Sequence, residues 1–375
     1  MNVFVYTTII VLIIFYIGKS PVDPNNLATE RCIIRDTNAM FFLLGTVILA
    51  FVTGQRFAYG DTLAYLGYFG NCDTFSNVLS QFTLNSESLF KVYMSFIHTY
   101  ISQNPRVFIE ITSFITIFPI MYFYYNYSGD LKLAFYLFVM SGCWDHTMNG
   151  LRQYLASSIL LFAFTALIKR KWYLYLPIVF IAAQIHTSAY IFVLIYFIAN
   201  TKAFGKTTKV ILFVGIMVVI SSPLTGNLVS NLVDSTEYGE KYNGNEWKNG
   251  VNIFRILVMA VPIVLAYINR EKIEYKYKYY NFVFNMSLMC LIFTLSGVFS
   301  AVYARFNLYF EIFNVVLLVW NINEFNNKKE YSWLKPTACI CYMLYFIYQI
   351  MFVYSISWHE DYLFFVDNWY TKSWI

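Results

Sequence analysis

The sequence predicts an all-α polytopic integral membrane protein with roughly 11–14 transmembrane helices. Three observations carry that prediction. The 375 residues are 59% hydrophobic and 13% charged, far from the balance of a soluble domain. Aromatic residues reach 21%, including 33 Tyr and 37 Phe, the side chains that collect where a protein meets two headgroup layers. The charges stand in short clusters between apolar runs, and a spanning helix needs roughly 20 such apolar residues.

The runs follow in order. Val3–Ile17 has no basic n-region and no A-x-A cleavage site, so it reads as a retained helix rather than a signal peptide. Ala39–Val52, Val107–Tyr125, Leu131–Trp144 and Leu151–Ile168 read as further spans. Leu89–Ile101 carries Lys91 and His98 and reads as interfacial or re-entrant. Trp172–Ala199 is long for one span and short for two, and the polar stretch Gln184-Ile-His-Thr-Ser188 interrupts it. That pattern predicts two short helices with His186 near their external apex, an arrangement tolerated where protein or water lines it. Val210–Leu228, Val251–Ile268, Tyr280–Phe299, Ala301–Trp320 and Pro336–Tyr354 complete the set. No polar stretch is long enough to fold separately, so residues 1–375 read as one transmembrane domain with external loops 54–88 and 227–250.

Basic residues set the orientation. Lys19, Arg31, Arg35, Lys132, Lys169–Lys171, Lys202, Lys206 and Lys209 fall in one compartment, with the clusters Arg270–Lys278 and Lys328–Lys335. Both termini then lie outside, and the tail Ser355–Ile375, with Trp358, Tyr362, Trp369, Tyr370 and Trp374, is expected in the headgroup layer. The net charge of +5 thus reads as orientation signal rather than a nucleic-acid footprint. Six cysteines show no CxxC and no zinc spacing. GxxxxGK[ST], HExxH, GxSxG and a clustered DxD are all missing, so neither cofactor nor metal is expected. Without an internal nucleotide site, an activated substrate has to be lipid-linked and reach the external face.

The inside holds mainly lysine, whereas five of the nine basic residues outside are arginine: Arg56, Arg106, Arg152, Arg255 and Arg305, several at helix mouths, beside Lys91, Lys241, Lys248 and Lys372. Arginine clamps planar anions bidentately, so that mouth reads as built for phosphate or carboxylate. Four clusters converge on it. Arg56-Phe-Ala-Tyr-Gly-Asp61, continuing to Tyr65, offers an anion clamp, a carboxylate and a glycine turn; a local Arg56–Asp61 ion pair is the structural alternative. Asp145-His146 precedes Asn149, Arg152 and Gln153, and the last two stand in a first helical turn where the dipole adds to their pull on an anion. His186, among Gln184, Thr187 and Ser188, suits a general base or hydrogen-bond donor, although a lone histidine is often a satisfied core residue. Arg305 comes with Asn307, Tyr309 and Glu311, and an ion pair to another helix is the structural alternative there. Glu110 and Glu311, inside apolar runs, need partners whatever they do.

These residues resemble the EpsG-type family of bacterial polysaccharide polymerases, related in role to the Wzy O-antigen polymerases. The resemblance rests on Arg56…Gly60-Asp61…Tyr65, Leu151-Arg152-Gln153…Ala156, His186-x-Ser188 and Arg305…Tyr309, taken in that order. It implies a multi-helix, GT-C-like scaffold in the bacterial inner membrane, working without a metal and with its site facing the exterior. It also implies donor and acceptor repeats carried on undecaprenyl pyrophosphate, with a flippase and a chain-length regulator of the same pathway as partners. In that chemistry Arg56, Arg152, Gln153, Arg305 and Tyr65 hold the pyrophosphate, while His186 or Asp61 takes the acceptor proton. Two other readings stay open. A lipid-linked oligosaccharide flippase would be expected to carry internal repeats, and none is evident. A membrane O-acyltransferase would need its donor from the inside, opposite the arginines.

Overall fold

A computed structural model describes residues 2–21, 35–83, 87–234, 250–273, 276–298, 301–327, 329–356 and 363–364. Among them the chain is all-α, with a single isolated bridge between Lys19 and Thr37 and no strand. Three helices are long and apolar enough to cross a bilayer: Pro105–Tyr127, Ile253–Glu271 and Lys329–Val353. The pair Tyr303–Tyr309 and Glu311–Asn326, bent by 60°, is long and apolar enough only when taken together, as a broken span or a re-entrant loop. Shorter apolar helices accompany them, among them Asn2–Ile17, Ala39–Gly54 and Tyr280–Ser296. Large apolar side chains also face outward: on Asn2–Ile17 alone, Ile9, Ile10, Ile13 and Ile17 are exposed while Phe4, Val11 and Phe15 are buried. A soluble fold hides such a surface, and lipid solvates it. The protein is a polytopic α-helical membrane protein, as its apolar runs predict.

The chain packs as two compact units. The first comprises Met1–Asn26, Ile33–Leu194 and Cys339–Ile375. Its helices begin where local chemistry says they should. Asn38 accepts from the Met40 amide and Asn104 from the Arg106 amide, the latter with Pro105 at the first helical position. Asp130 accepts from the Leu133 amide to start Leu131–Met140. Ala39–Gly54 and Pro105–Tyr127 run antiparallel: Gln55 reaches Glu110 at 2.9 Å at one end and Arg35 reaches Asn126 at 3.0 Å at the other. Small residues let them approach, since a Cβ on Gly54 would stand 2.9 Å from the Glu110 Cα. Lys132 bonds Asp36 at 2.6 Å beside Arg35, so these two basic residues stand at one end of the first unit.

The run Leu131–Trp144, expected as one span, is two helices. Leu131–Met140 stops at Ser141, and Gly142 takes φ +87°, which turns the chain into Cys143–Asn149. Only glycine adopts that conformation without strain. The expected loop 54–88 is also partly helical, at Thr62–Gly70 and Phe75–Ser80. Trp172–Ala199 divides into Trp172–Ile185, a 3-10 turn Thr187–Tyr190, and Ile191–Ile198. The Tyr175 hydroxyl donates to the Phe192 carbonyl at 2.7 Å, a contact that requires the chain to double back around His186. Of the tail, Trp358, Tyr362, Trp369, Tyr370 and Trp374 lie outside the described residues. Leu363 and Phe364 return instead to the loop after Ala39–Gly54: the Leu363 carbonyl accepts from the Phe57 and Ala58 amides, and Phe364 packs on Phe4 and Tyr59.

The second unit comprises Leu27–Cys32 and Ile195–Ala338. Ile253–Ile273, Tyr280–Ser296 and Glu311–Asn326 pack together around Tyr277 stacked on Trp320 and around buried polar groups. Arg255 bonds Glu311 at 2.9 Å and Asn307 at 3.3 Å, and Asn307 donates to Thr294 at 2.9 Å. Glu311 is therefore neutralised by Arg255, as an intramembrane carboxylate needs to be.

Candidate active site

In the first unit three chain turns bring the candidate residues together. In the first, the loop after Ala39–Gly54, Arg56 is 2% exposed. Its Nε donates to Thr62 Oγ1 at 3.1 Å, and its Nη1 donates to the Thr53 carbonyl at 2.7 Å and to Ser113 Oγ at 2.8 Å. Burial lowers its pKa to about 9, which leaves it cationic at neutral pH. The guanidinium thus ties the loop to two helices and sets up Thr62–Gly70, which presents Tyr65. Asp61 stands half-buried at the start of that helix.

Gly60 has φ +54°, and a Cβ there would meet the Asn149 Cα at 2.9 Å and its Oδ1 at 2.8 Å. The Arg56–Asp61 loop is thereby fitted against the second turn, Asn149-Gly150, from which Leu151–Phe162 starts. Gly60→Ala is expected to cost about 2 kcal/mol or more, from left-handed strain plus the clash. A lowered unfolding midpoint of the detergent-solubilised protein checks this.

Arg152 and Gln153 open Leu151–Phe162, Gln153 being 4% exposed. Arg152 Nε donates to the Tyr65 hydroxyl at 3.1 Å, and its guanidinium lies over the Tyr65 ring at 5.7 Å and the Phe90 ring at 5.4 Å. Its Nη1 bonds Glu87 Oε2. The other oxygen of that carboxylate, Oε1, lies 2.9 Å from His186 Nδ1 in the third turn. Arg152 and His186 therefore meet on one carboxylate, with Tyr65 bonded to the arginine. Glu87 is 7% exposed and sits in the left-handed region, φ 68° and ψ 16°, just ahead of Ser88–Tyr100. A non-glycine residue there is uncommon, and it persists where its surroundings over-determine it.

Glu87 is the residue that sequence reasoning passed over. It reads as one more polar residue in Asn85-Ser86-Glu87-Ser88, and its partners are 65 and 99 positions away. Its one local signal is an acid directly before an amphipathic helix: on Ser88–Tyr100, Phe90, Met94 and Ile97 are buried while Lys91 is exposed.

The other named residues are placed as follows. Asp145 accepts from the Tyr59 hydroxyl, and His146 Nε2 lies 3.4 Å from the Tyr354 hydroxyl. Asp145 and Asn149, with Tyr59, Gly60, Tyr354 and Ser355, line a cavity of about 330 Å³ beside the Arg56 loop. Arg106 pairs with Glu110 at 3.0 Å. Arg305 belongs to the second unit, where it is exposed at the end of Ala301–Arg305.

A partly buried arginine and a histidine held on one carboxylate, with a tyrosine on the arginine, can hold an anion, and a proton acceptor stands beside it. No curated protein and no solved structure matches this chain. The EpsG family model matches residues 39–364, a stretch that contains Arg56, Glu87, Arg152, His186 and Arg305. With most of its length matched, from the second helix to the returning tail, this chain belongs to the EpsG family.

Proposed function

We propose that this protein is a membrane glycosyltransferase that joins oligosaccharide repeats carried on undecaprenyl pyrophosphate, at the external face of the bacterial cytoplasmic membrane. Family membership points to polysaccharide biosynthesis within a membrane. The observation that carries the finer reading is the meeting of Arg152 and His186 on Glu87, with Tyr65 alongside. An acceptor hydroxyl attacks the donor's anomeric carbon as the bond from that carbon to the pyrophosphate oxygen breaks. The sugar passes through an oxocarbenium-like state, and negative charge grows on the departing lipid pyrophosphate. Arg152 stabilises that charge with a preorganised guanidinium. His186 accepts the hydroxyl proton, and Asp61 is the second candidate for that task. In this reading Arg56 shapes the loop that presents Asp61 and Tyr65, and Gln153 supports the first turn beside Arg152.

The test is the product ladder of a deletion strain together with that of the reconstituted protein. Surface polysaccharide limited to single repeats in the deletion strain, and a ladder made from lipid-linked repeats by the pure protein, are expected. Loss of all surface product with no polymerising activity in vitro would point to a flippase. His186→Ala is expected to slow polymerisation by about 10²–10⁴-fold, the usual contribution of a positioned base. Full activity in that variant, measured by the same ladder, would move the proton to Asp61.

A further inference from the structure

Resting on the reaction read above, we propose that Glu87 is the positioning residue of this site: it fixes the tautomer and orientation of His186 while it anchors Arg152. Two oxygens of one carboxylate are divided between two functional side chains, Oε1 facing His186 Nδ1 at 2.9 Å and Oε2 bonding Arg152 Nη1. With the carboxylate ionised against Arg152, Nδ1–H donates to it. The lone pair of the imidazole is then on Nε2, because the bond made by one ring nitrogen sets the state of the other. As the acceptor oxygen bonds to the anomeric carbon and the carbon–oxygen bond to pyrophosphate breaks, the hydroxyl proton passes to Nε2. Glu87 stays ionised throughout and stabilises the imidazolium that forms, as an orienting carboxylate does in a catalytic triad.

Three features make Glu87 a built part of the site rather than a passing surface pair. It is buried at 7% exposure, its backbone holds the left-handed conformation, and both carboxylate oxygens have functional partners. The helix Trp172–Ile185 packs on Leu151–Phe162 and Ser88–Tyr100. On those elements Glu87 faces His186 directly and Arg152 joins through Glu87, while Lys91 stands exposed one turn beyond Glu87 and Tyr65 joins through Arg152.

The test uses the full chain with lipid-linked repeats as substrate and reads turnover against pH. Glu87→Gln keeps the shape and removes the charge. It is expected to lower kcat by about 10–100-fold, part of what a positioned base supplies. KM for the repeat should stay within about twofold, since the loss is in the transition state. The acidic limb of the kcat profile should move to lower pH, because a neighbouring carboxylate raises an imidazole's pKa and its loss lowers it. Glu87→Asp, which keeps the charge, should hold the limb at its wild-type position while turnover falls; it serves also if Glu87→Gln fails to accumulate. An unmoved limb or wild-type turnover in Glu87→Gln, or a moved limb in Glu87→Asp, overturns the proposal. A wild-type protein that makes no polymer from lipid-linked repeats removes the reaction itself, and a fully active His186→Ala removes the base that Glu87 is proposed to serve.

Discussion

Arg152→Ala should end the synthesis of long polysaccharide and let single lipid-linked repeats accumulate. A preorganised donor aimed at developing negative charge is worth about 10²–10³ in rate, and Arg152 already holds that posture against Glu87 and Tyr65. The substitution also takes from Glu87 its ion pair with Arg152, so part of the effect comes from a carboxylate that has lost a cation. Arg152→Lys separates these contributions. Lysine restores a positive charge near Glu87 but cannot offer the planar fork that reaches Tyr65 and Glu87 together. Protein levels in the membrane should recover with lysine while chain length stays short. Polymer length on gels, read beside the amount of protein in the membrane, checks both; normal chain length in an abundant Arg152→Ala protein would sink the assignment.

The largest effect on stability is expected at Glu311. Its side chain is wholly buried and faces Arg255, whose own side chain is 17% exposed. Breaking a buried pair from one side leaves an uncompensated charge and costs about 3–5 kcal/mol. Glu311→Ala should fall near the lower end, about 3 kcal/mol, because Asn307 remains as an acceptor for Arg255. Replacing both partners, as Arg255→Met with Glu311→Leu, should recover most of the loss, since an apolar pair of similar volume is often neutral. Thermal unfolding in detergent of the two single variants and the double variant gives the coupling directly. Additive losses would mean that the pair contributes nothing as a pair.

The fold class was legible because lipid imposes run length and apolarity, and both are visible without coordinates. The break at His186 was legible for the same reason, since four polar residues interrupt an apolar run at Gln184, His186, Thr187 and Ser188. Gly142 was harder. A glycine inside an apolar stretch is tolerated by a helix, and only its positive φ makes it a corner. Arg56 reads as an open cation in a loop until Thr53, Thr62 and Ser113 close around it, and those three stand on three different helices. Arg152 and His186 stand out singly by residue type and position. That they meet through Glu87 depends on long-range packing, for which no local pattern exists.

The return of the tail ties the loop after the second helix to the timing of biosynthesis. The Phe57 and Ala58 amides find their acceptor on Leu363, some 300 residues later in the chain. At about 5–20 residues per second, a ribosome takes about 15–60 s to cover that distance. Throughout that interval the nascent protein carries Arg56 in a turn whose backbone partner has not been made. This end of the first unit is thus among the last parts of the molecule to be finished, and a polypeptide stalled ahead of Leu363 enters the bilayer with that corner unlatched.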